Sequence, residues 1–175
     1  MGHILVLGGQ RSGKSRFAEA TVRASGRAPV IIATATAGDD EMHERIEAHR
    51  AGRDPAWLTV EEPLELAAAL RTAARADRAV LVDCLTLWLS NLFAAERPLE
   101  PAFQQLIASL VDISCPVVLV SNEVGSGIIA DNALARRYAD ALGQLNQRVA
   151  TAVERVVLMT AGLPILVKPA PKIEL

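Results

Sequence analysis

A three-layer α/β fold, with a mainly parallel central sheet and an antiparallel edge strand, is what this sequence of 175 residues predicts, on three observations. Short apolar runs rich in Val, Ile and Leu recur along the chain without alternating, the pattern of strands covered on both faces. Between them lie stretches with the Ala, Leu, Arg and Glu content of helices. The first apolar run, Ile4-Leu5-Val6-Leu7, leads directly into Gly8-Gly9-Gln10-Arg11-Ser12-Gly13-Lys14-Ser15, which fits G-x-x-x-x-G-K-[ST] at every fixed position. Strand, glycine-rich turn and helix in that order make the predicted fold P-loop NTPase-like.

Strands are expected at His3–Leu7, Val30–Ala33, Ala79–Val82, Val117–Ser121 and Val156–Thr160, each a short run of buried-type residues. Helices fill the intervals at Ser15–Ala24, Asp40–Arg50, Pro63–Ala76, Pro101–Ile113 and Ala133–Ala152. The alternation implies parallel strands joined by helical crossovers. Ile165-Leu166-Val167, following Gly162 and Pro164, is placed to return as the edge strand through a tight turn. Gly26–Pro29, Ala37–Asp39 and Arg97–Pro101 read as loops. There is no internal repeat or linker composition, so residues 1–175 are expected to form one domain.

Composition narrows the partners. The chain is 51% hydrophobic and 22% charged, with a net charge of −2, which allows a substantial core and argues against nucleic acid as partner. A small molecule is expected instead. Cys84 and Cys115 each sit in apolar, strand-like context and read as buried thiols, not as a disulfide framework or zinc site. No basic-then-apolar leader opens the sequence and no apolar run approaches the roughly 20 residues of a membrane span, so a cytoplasmic enzyme is expected.

The glycine-rich turn supplies backbone N–H groups to phosphate oxygens, Lys14 reaches the β- and γ-phosphates, and the Ser15 hydroxyl is offered to Mg2+. Ala79-Val80-Leu81-Val82-Asp83 is an apolar strand ending in a carboxylate. Asp83 is therefore the second metal-contact candidate, with an ordinary helix-capping Asp as the alternative. Asn122 and Glu123 follow another strand and fall where ligands collect in open parallel sheets, although a turn built on Asn122 and the nearby glycines accounts for them equally well. His3 is read as structural and His43 as exposed. The polar edge of the last helix, with Arg136, Arg137 and Arg148, fits ordinary solvation. Trp57 and Trp88 fit a core or an interface, and either could stack on a ring.

On the helix expected over Asp40–Arg50, Arg45, His49 and Arg53 recur at i, i+4 and i+8, provided the helix persists to Arg53. The flanking guanidinium groups would disfavour imidazolium, keeping His49 neutral and nucleophilic while they hold phosphate oxygens. The residues alone leave a second account open, a surface histidine on a solvated charged helix.

These motifs together resemble the bifunctional adenosylcobinamide kinase / adenosylcobinamide-phosphate guanylyltransferase family of cobalamin biosynthesis. Beside the Gly8–Ser15 motif, the resemblance is carried by Ile32-Ala33-Thr34-Ala35, Asp40-Glu41-Met42, Arg45-Ile46-x-x-His49-Arg50, Trp57-x-Thr59-x-Glu61, Val82-Asp83-Cys84-Leu85-Thr86, Ser121-Asn122-Glu123-Val124-Gly125 and Leu145-Asn146-Gln147-Arg148. It implies two reactions. The terminal phosphate of ATP or GTP passes to a hydroxyl of adenosylcobinamide; a histidine then takes GMP from GTP and hands it to adenosylcobinamide phosphate, giving adenosylcobinamide-GDP. That histidine falls on His49, and the residue before it, a second histidine in some relatives, is Ala48 here. By the same correspondence Gly8, Gly9, Gln10, Arg11, Ser12, Gly13, Lys14 and Ser15 hold the triphosphate. Thr34, Ala35 and Thr36, together with Arg50, Ala51, Gly52 and Arg53, lie in nucleotide-contacting segments. Glu61 contacts guanine or its ribose, Asp83 and Ser15 serve Mg2+, and Lys14 and His49 are catalytic. The resemblance further implies a homotrimer, for which the apolar Trp88, Leu89, Leu92 and Phe93 are the expected contact. A P-loop small-molecule kinase that leaves His49 idle, or a nucleotide-dependent switch, is the alternative.

Overall fold

The structure is a computed structural model and describes residues 2–36 and 55–170. The strands are β1 (Ile4–Gly8), β2 (Ala28–Ala33), β3 (Leu58–Glu61), β4 (Arg78–Asp83), β5 (Val117–Val120), β6 (Arg155–Thr160) and β7 (Leu163–Lys168). The helices among the described residues are α1 (Lys14–Ala24), α2 (Leu66–Ala73), α3 (Leu85–Ala94), α4 (Leu99–Asp112) and α5 (Ala133–Ala152). The helix expected over Asp40–Arg50 and the loop Ala37–Asp39 lie outside the described residues.

All seven strands join one sheet in the order β3-β2-β4-β5-β1-β6-β7. Every pairing is parallel except β6 with β7, the expected antiparallel edge, which turns through Ala161 and Gly162. Side chains of period two divide the core between the two faces. Leu5, Ile32, Val80, Val82 and Leu119 point to the face covered by α2, α3, α4 and α5. Val6, Ile31, Leu81, Val118 and Val120 point to the face covered by α1, whose Ala18 and Val22 are buried against them. Two helical layers around a sheet explain why the strands read as unbroken apolar runs.

Several boundaries differ from the sequence reading. Pro29 lies inside β2, not in a loop, because the β3 ladder begins only at Val30 and asks no N–H of position 29. Helix α4 starts at Leu99, within the stretch read as loop, with Pro101 accommodated in its first turn. Helix α2 is shorter than the Pro63–Ala76 expected. Strand β3 and helix α3 were not foreseen. The residues assigned to an oligomer contact are part of α3: Trp88 (1% exposed), Leu89 (0%) and Leu92 (2%) are core, and Phe93 packs on that core half-buried. They face inward because α3 is apolar on nearly all sides and sits under the sheet, with Trp88 Nε1 donating to the Leu64 carbonyl at 2.8 Å.

Cys84 and Cys115 are free and buried, as expected. His3 is structural: Nε2 lies 2.8 Å from the Leu110 carbonyl and Nδ1 accepts from the Val117 N–H. Among the described residues no helix is long and apolar enough to cross a membrane.

Candidate active site

The glycine-rich turn sits between β1 and α1 at the carboxyl edge of the parallel strands. Gly8 admits no side chain, since a Cβ there would lie 2.6 Å from both the Met159 carbonyl oxygen and Ser12 Oγ. Gly13 adopts φ 94° where it caps α1, and Arg11 is also left-handed at φ 56°. Such reversals form a nest of N–H groups suited to an anion at a helix start. The turn is fixed from both sides. Gly162 N–H, from the β6–β7 turn, donates to the Ser12 carbonyl at 3.0 Å, and Glu123 N–H, just after β5, donates to the Gly8 carbonyl at 3.1 Å. Between residues 11–16 and the Ala161–Gly162 turn lies a hollow of about 530 Å3.

Lys14 is buried, and its Nζ donates to the Gly9 carbonyl at 2.6 Å. Burial pulls its ammonium below the usual 10.5, and electrostatic attraction toward Cys84 and Asp83 opposes the shift, Asp83 being the group charged at neutral pH. Asp83 lies on the same carboxyl edge of the sheet as the glycine-rich turn. It is the last residue of β4, and the N-cap of α3 is Cys84, so Asp83 ends a strand and does not cap the next helix. Two strand spacings separate β4 from β1, about 10 Å along the sheet edge. The donor set of Ser15 hydroxyl, Asp83 carboxylate and phosphate oxygens is all hard oxygen, which fits a partly hydrated Mg2+. Among the described residues no group of three or more His, Cys, Asp or Glu side chains gathers around a metal-sized site. Ser12 Oγ is buried without a partner, a donor suited to a phosphate oxygen.

Thr34 is fully buried, and its hydroxyl is committed within the protein: Oγ1 donates to the Cys84 carbonyl at 2.7 Å and accepts from Cys84 N–H at 3.0 Å. It staples the end of β2 to the end of the Asp83 strand. Ala35 and Thr36 follow at the surface, the Thr36 hydroxyl donating to Asn91 Oδ1 at 2.9 Å. Glu61 ends β3 and is exposed, four strand spacings from β1, or about 19 Å. Any nucleotide contact there belongs to the end of the molecule remote from the phosphates. His49, Arg50, Ala51, Gly52 and Arg53 lie outside the described residues.

The structure adds residues that sequence reasoning missed. Asn91 Nδ2 donates to the carbonyls of Thr34 (2.7 Å) and Pro63 (3.1 Å), joining α3 to the segments after β2 and β3. An amide side chain in a mostly apolar helix was the available signal. Asn122 N–H donates to Thr86 Oγ1, and its carbonyl accepts from the Nδ2 of the buried Asn146. Glu123, rather than Asn122, caps the following turn, its Oε1 accepting from Gly125 N–H at 2.9 Å.

A nest at the head of α1, a buried lysine and a strand-end carboxylate at one sheet edge define a P-loop enzyme built to handle a nucleoside triphosphate. The chain belongs to the cobinamide kinase / cobinamide phosphate guanyltransferase family, which matches residues 4–167. It is 50% identical over 169 residues to the bifunctional adenosylcobalamin biosynthesis protein CobP of Pseudomonas aeruginosa, spanning 95% of this chain and 98% of that protein. It is 40% identical over 182 residues to the bifunctional adenosylcobalamin biosynthesis protein CobU of Salmonella typhimurium, spanning 94% and 99%. The flagellar accessory protein FlaH of Methanocaldococcus jannaschii shares the fold, with a TM-score of 0.52 at 10% identity over 95% of this chain and 78% of that one. The family description carries both transferase activities, which favours a bifunctional enzyme over a kinase alone or a switch.

Proposed function

We propose that this chain phosphorylates adenosylcobinamide and then guanylylates the product, using one Mg2+-triphosphate cradle for both steps. The observation that carries the reading is the buried Lys14 in the Gly8–Ser15 turn, on the same sheet edge as the strand-end Asp83. In the first step the acceptor hydroxyl oxygen attacks the γ-phosphorus of ATP or GTP. The bond to the β–γ bridging oxygen breaks, the nucleoside diphosphate leaves, and the hydroxyl proton passes to solvent. Lys14 and the turn N–H groups meet the charge that accumulates on the phosphate oxygens. Bound Mg2+, held by Ser15 and Asp83, would add charge neutralisation at the same oxygens.

In the second step a ring nitrogen of His49 attacks the α-phosphorus of GTP, and the bond to the α–β bridging oxygen breaks, releasing pyrophosphate. A phosphate oxygen of adenosylcobinamide phosphate then displaces His49 from the GMP phosphorus, giving adenosylcobinamide-GDP. Arg50 and Arg53 hold phosphate oxygens, Thr36 and Ala35 border the nucleotide, and Glu61 meets guanine or its ribose. On this reading the enzyme works in the cytoplasm as a homo-oligomer, a trimer by family resemblance.

Incubation with α-labelled GTP tests the division of labour. Wild type is expected to carry acid-labile, alkali-stable label that His49→Ala lacks, while His49→Ala still phosphorylates adenosylcobinamide. Equal loss of both half-reactions in His49→Ala would show that the roles are wrongly divided.

A further inference from the structure

Helix α5 carries one polar residue on its buried stripe. Ala141, Leu142, Leu145 and Val149 join the core against the sheet, and Asn146, 7% exposed, stands among them at i+4 from Leu142 and i−3 from Val149. An amide in such a place weakens the core unless hydrogen bonds offset its desolvation. Here they do so only in part: Nδ2 donates to the Asn122 carbonyl at 3.1 Å, while Oδ1 is buried with no partner among the described residues. Stability does not account for such a residue, and the one bond it makes points to its use.

That bond falls on the segment running beside the glycine-rich turn. Ser121 N–H donates to the Val6 carbonyl and Glu123 N–H to the Gly8 carbonyl, so these alternate residues face β1. Asn122, between them, faces the side of β4, which has already ended at Asp83, level with Val120. Side chains therefore take both of its backbone groups. Its N–H donates to Thr86 Oγ1 at 2.9 Å, in the first turn of α3, and its carbonyl accepts from Asn146. Tyr138 of α5 steadies Thr86 in turn, its hydroxyl donating to the Thr86 carbonyl at 2.7 Å. The clamp reaches the cradle through Glu123, which fixes the Gly8 carbonyl. The next carbonyl, that of Gly9, is the one that receives Lys14 Nζ at 2.6 Å.

Resting on the triphosphate cradle of the function proposed above, we infer that Asn146 is a positioning residue for nucleotide binding, which holds Asn122 and, through Glu123, the Gly8–Gly9 peptide at the entrance of the glycine-rich turn. It touches no substrate itself. Without its amide the Asn122 carbonyl loses its donor and the Glu123–Gly8 bond loses its support, so the nucleotide must order a cradle that is otherwise ordered in advance, and binding weakens. Asn146→Leu separates this role from a structural one. It continues the apolar stripe of α5 and removes the unpartnered oxygen, so the fold keeps its stability while the cradle loses its brace.

The test uses the full chain with Mg2+ and mant-GTP, a fluorescent GTP derivative, and reads Kd beside Tm. Asn146→Leu is expected to raise Kd about tenfold with Tm within about 3 °C of wild type. In phosphate transfer to cobinamide its KM for GTP should rise by about the same factor with kcat within about twofold, the signature of lost binding shared by ground and transition states. Thr86→Val, which frees the Asn122 N–H without entering the core stripe, should also raise Kd, and Thr86→Ser, which keeps the hydroxyl, should stay within about twofold. A Kd within about twofold of wild type in both Asn146→Leu and Thr86→Val overturns the inference and leaves the proposed function standing. So does a raised Kd in Asn146→Leu that comes with a Tm loss above about 5 °C while Thr86→Val binds normally, since Asn146 would then serve only the core. Wild-type protein that binds mant-GTP but transfers no phosphate to cobinamide refutes the function and not the inference; wild-type protein that does not bind mant-GTP refutes both.

Discussion

Replacing Thr34 by Val removes a hydroxyl whose two hydrogen bonds both go to Cys84, next to the strand-end carboxylate. The two losses are unequal. The Cys84 carbonyl keeps a second donor, Trp88 N–H at 3.1 Å, so its share is an ordinary net hydrogen bond of about 0.5–1.5 kcal/mol. Cys84 N–H is left buried without its acceptor, which costs about 1–3 kcal/mol. The added methyl group in a fully buried site returns roughly 0.8 kcal/mol. The balance is a loss of about 2 kcal/mol, or roughly 4–9 °C in Tm for a domain of this size. Urea unfolding followed by the fluorescence of the buried Trp57 and Trp88 measures it. Thr34→Ser, which keeps the hydroxyl, should recover most of the loss. A Thr34→Val protein within about 0.5 kcal/mol of wild type would refute the assignment of this hydroxyl as the staple between β2 and β4.

Lys14 must be an ammonium to hold triphosphate, and burial lowers its pKa, so kcat/KM for GTP should fall on the alkaline side with an inflection below 10.5, and Lys14→Ala should lower both half-reactions about a hundredfold and remove that inflection. Cys84 is pushed up to about 11 by burial first and by Asp83 second, which leaves about one thiolate in a thousand at pH 8; mass spectrometry after iodoacetamide should find it unmodified in the native protein and alkylated after unfolding. Because that folded value is raised above the 9.0 of the free thiol, the stability linked to Cys84 is complete below pH 9 and is lost as pH rises through about 11, a trend that Cys84→Ala should flatten in alkaline unfolding curves.

What could be read in advance follows from what each residue's neighbours demand. Strands buried on both faces announce themselves, because every position of Ala79–Val82 or Val117–Val120 needs an apolar side chain. Strand β3 has one neighbour and three exposed residues of four, so it shows no continuous apolar run, and its Leu-Thr-Val-Glu alternation is only four residues long. Helix α3 failed for the opposite reason. With Leu85, Leu87, Trp88, Leu89, Leu92 and Phe93 in ten residues, no face stands out, and a core helix reads as an exposed apolar patch. The cradle was legible because backbone geometry restricts Gly8 and Gly13 to glycine. The internal use of the Thr34 hydroxyl was not, since the Cys84 backbone that takes it lies 50 positions away in sequence.

The carboxylate proposed to serve the metal, Asp83, ends β4 and not β5, although β5 is the strand beside β1. Backbone closure explains the choice. Ser121 N–H donates to the Val6 carbonyl and Glu123 N–H to the Gly8 carbonyl, so the end of β5 is drawn tight against the glycine-rich turn. The carboxylate nearest the end of β5, Glu123, is turned back on its own loop, where Oε1 accepts from Gly125 N–H. Asp83, about 10 Å farther along the edge, leaves room for a cation that keeps part of its water between carboxylate and phosphate oxygens. Removing only the charge should therefore weaken the metal more than the nucleotide. Asp83→Asn is expected to raise the Mg2+ concentration for half-maximal phosphorylation about tenfold or more, with a smaller change in GTP affinity measured at saturating Mg2+. An unchanged Mg2+ dependence would remove Asp83 from the metal site and leave its effects on Lys14 and Cys84 as its electrostatic role.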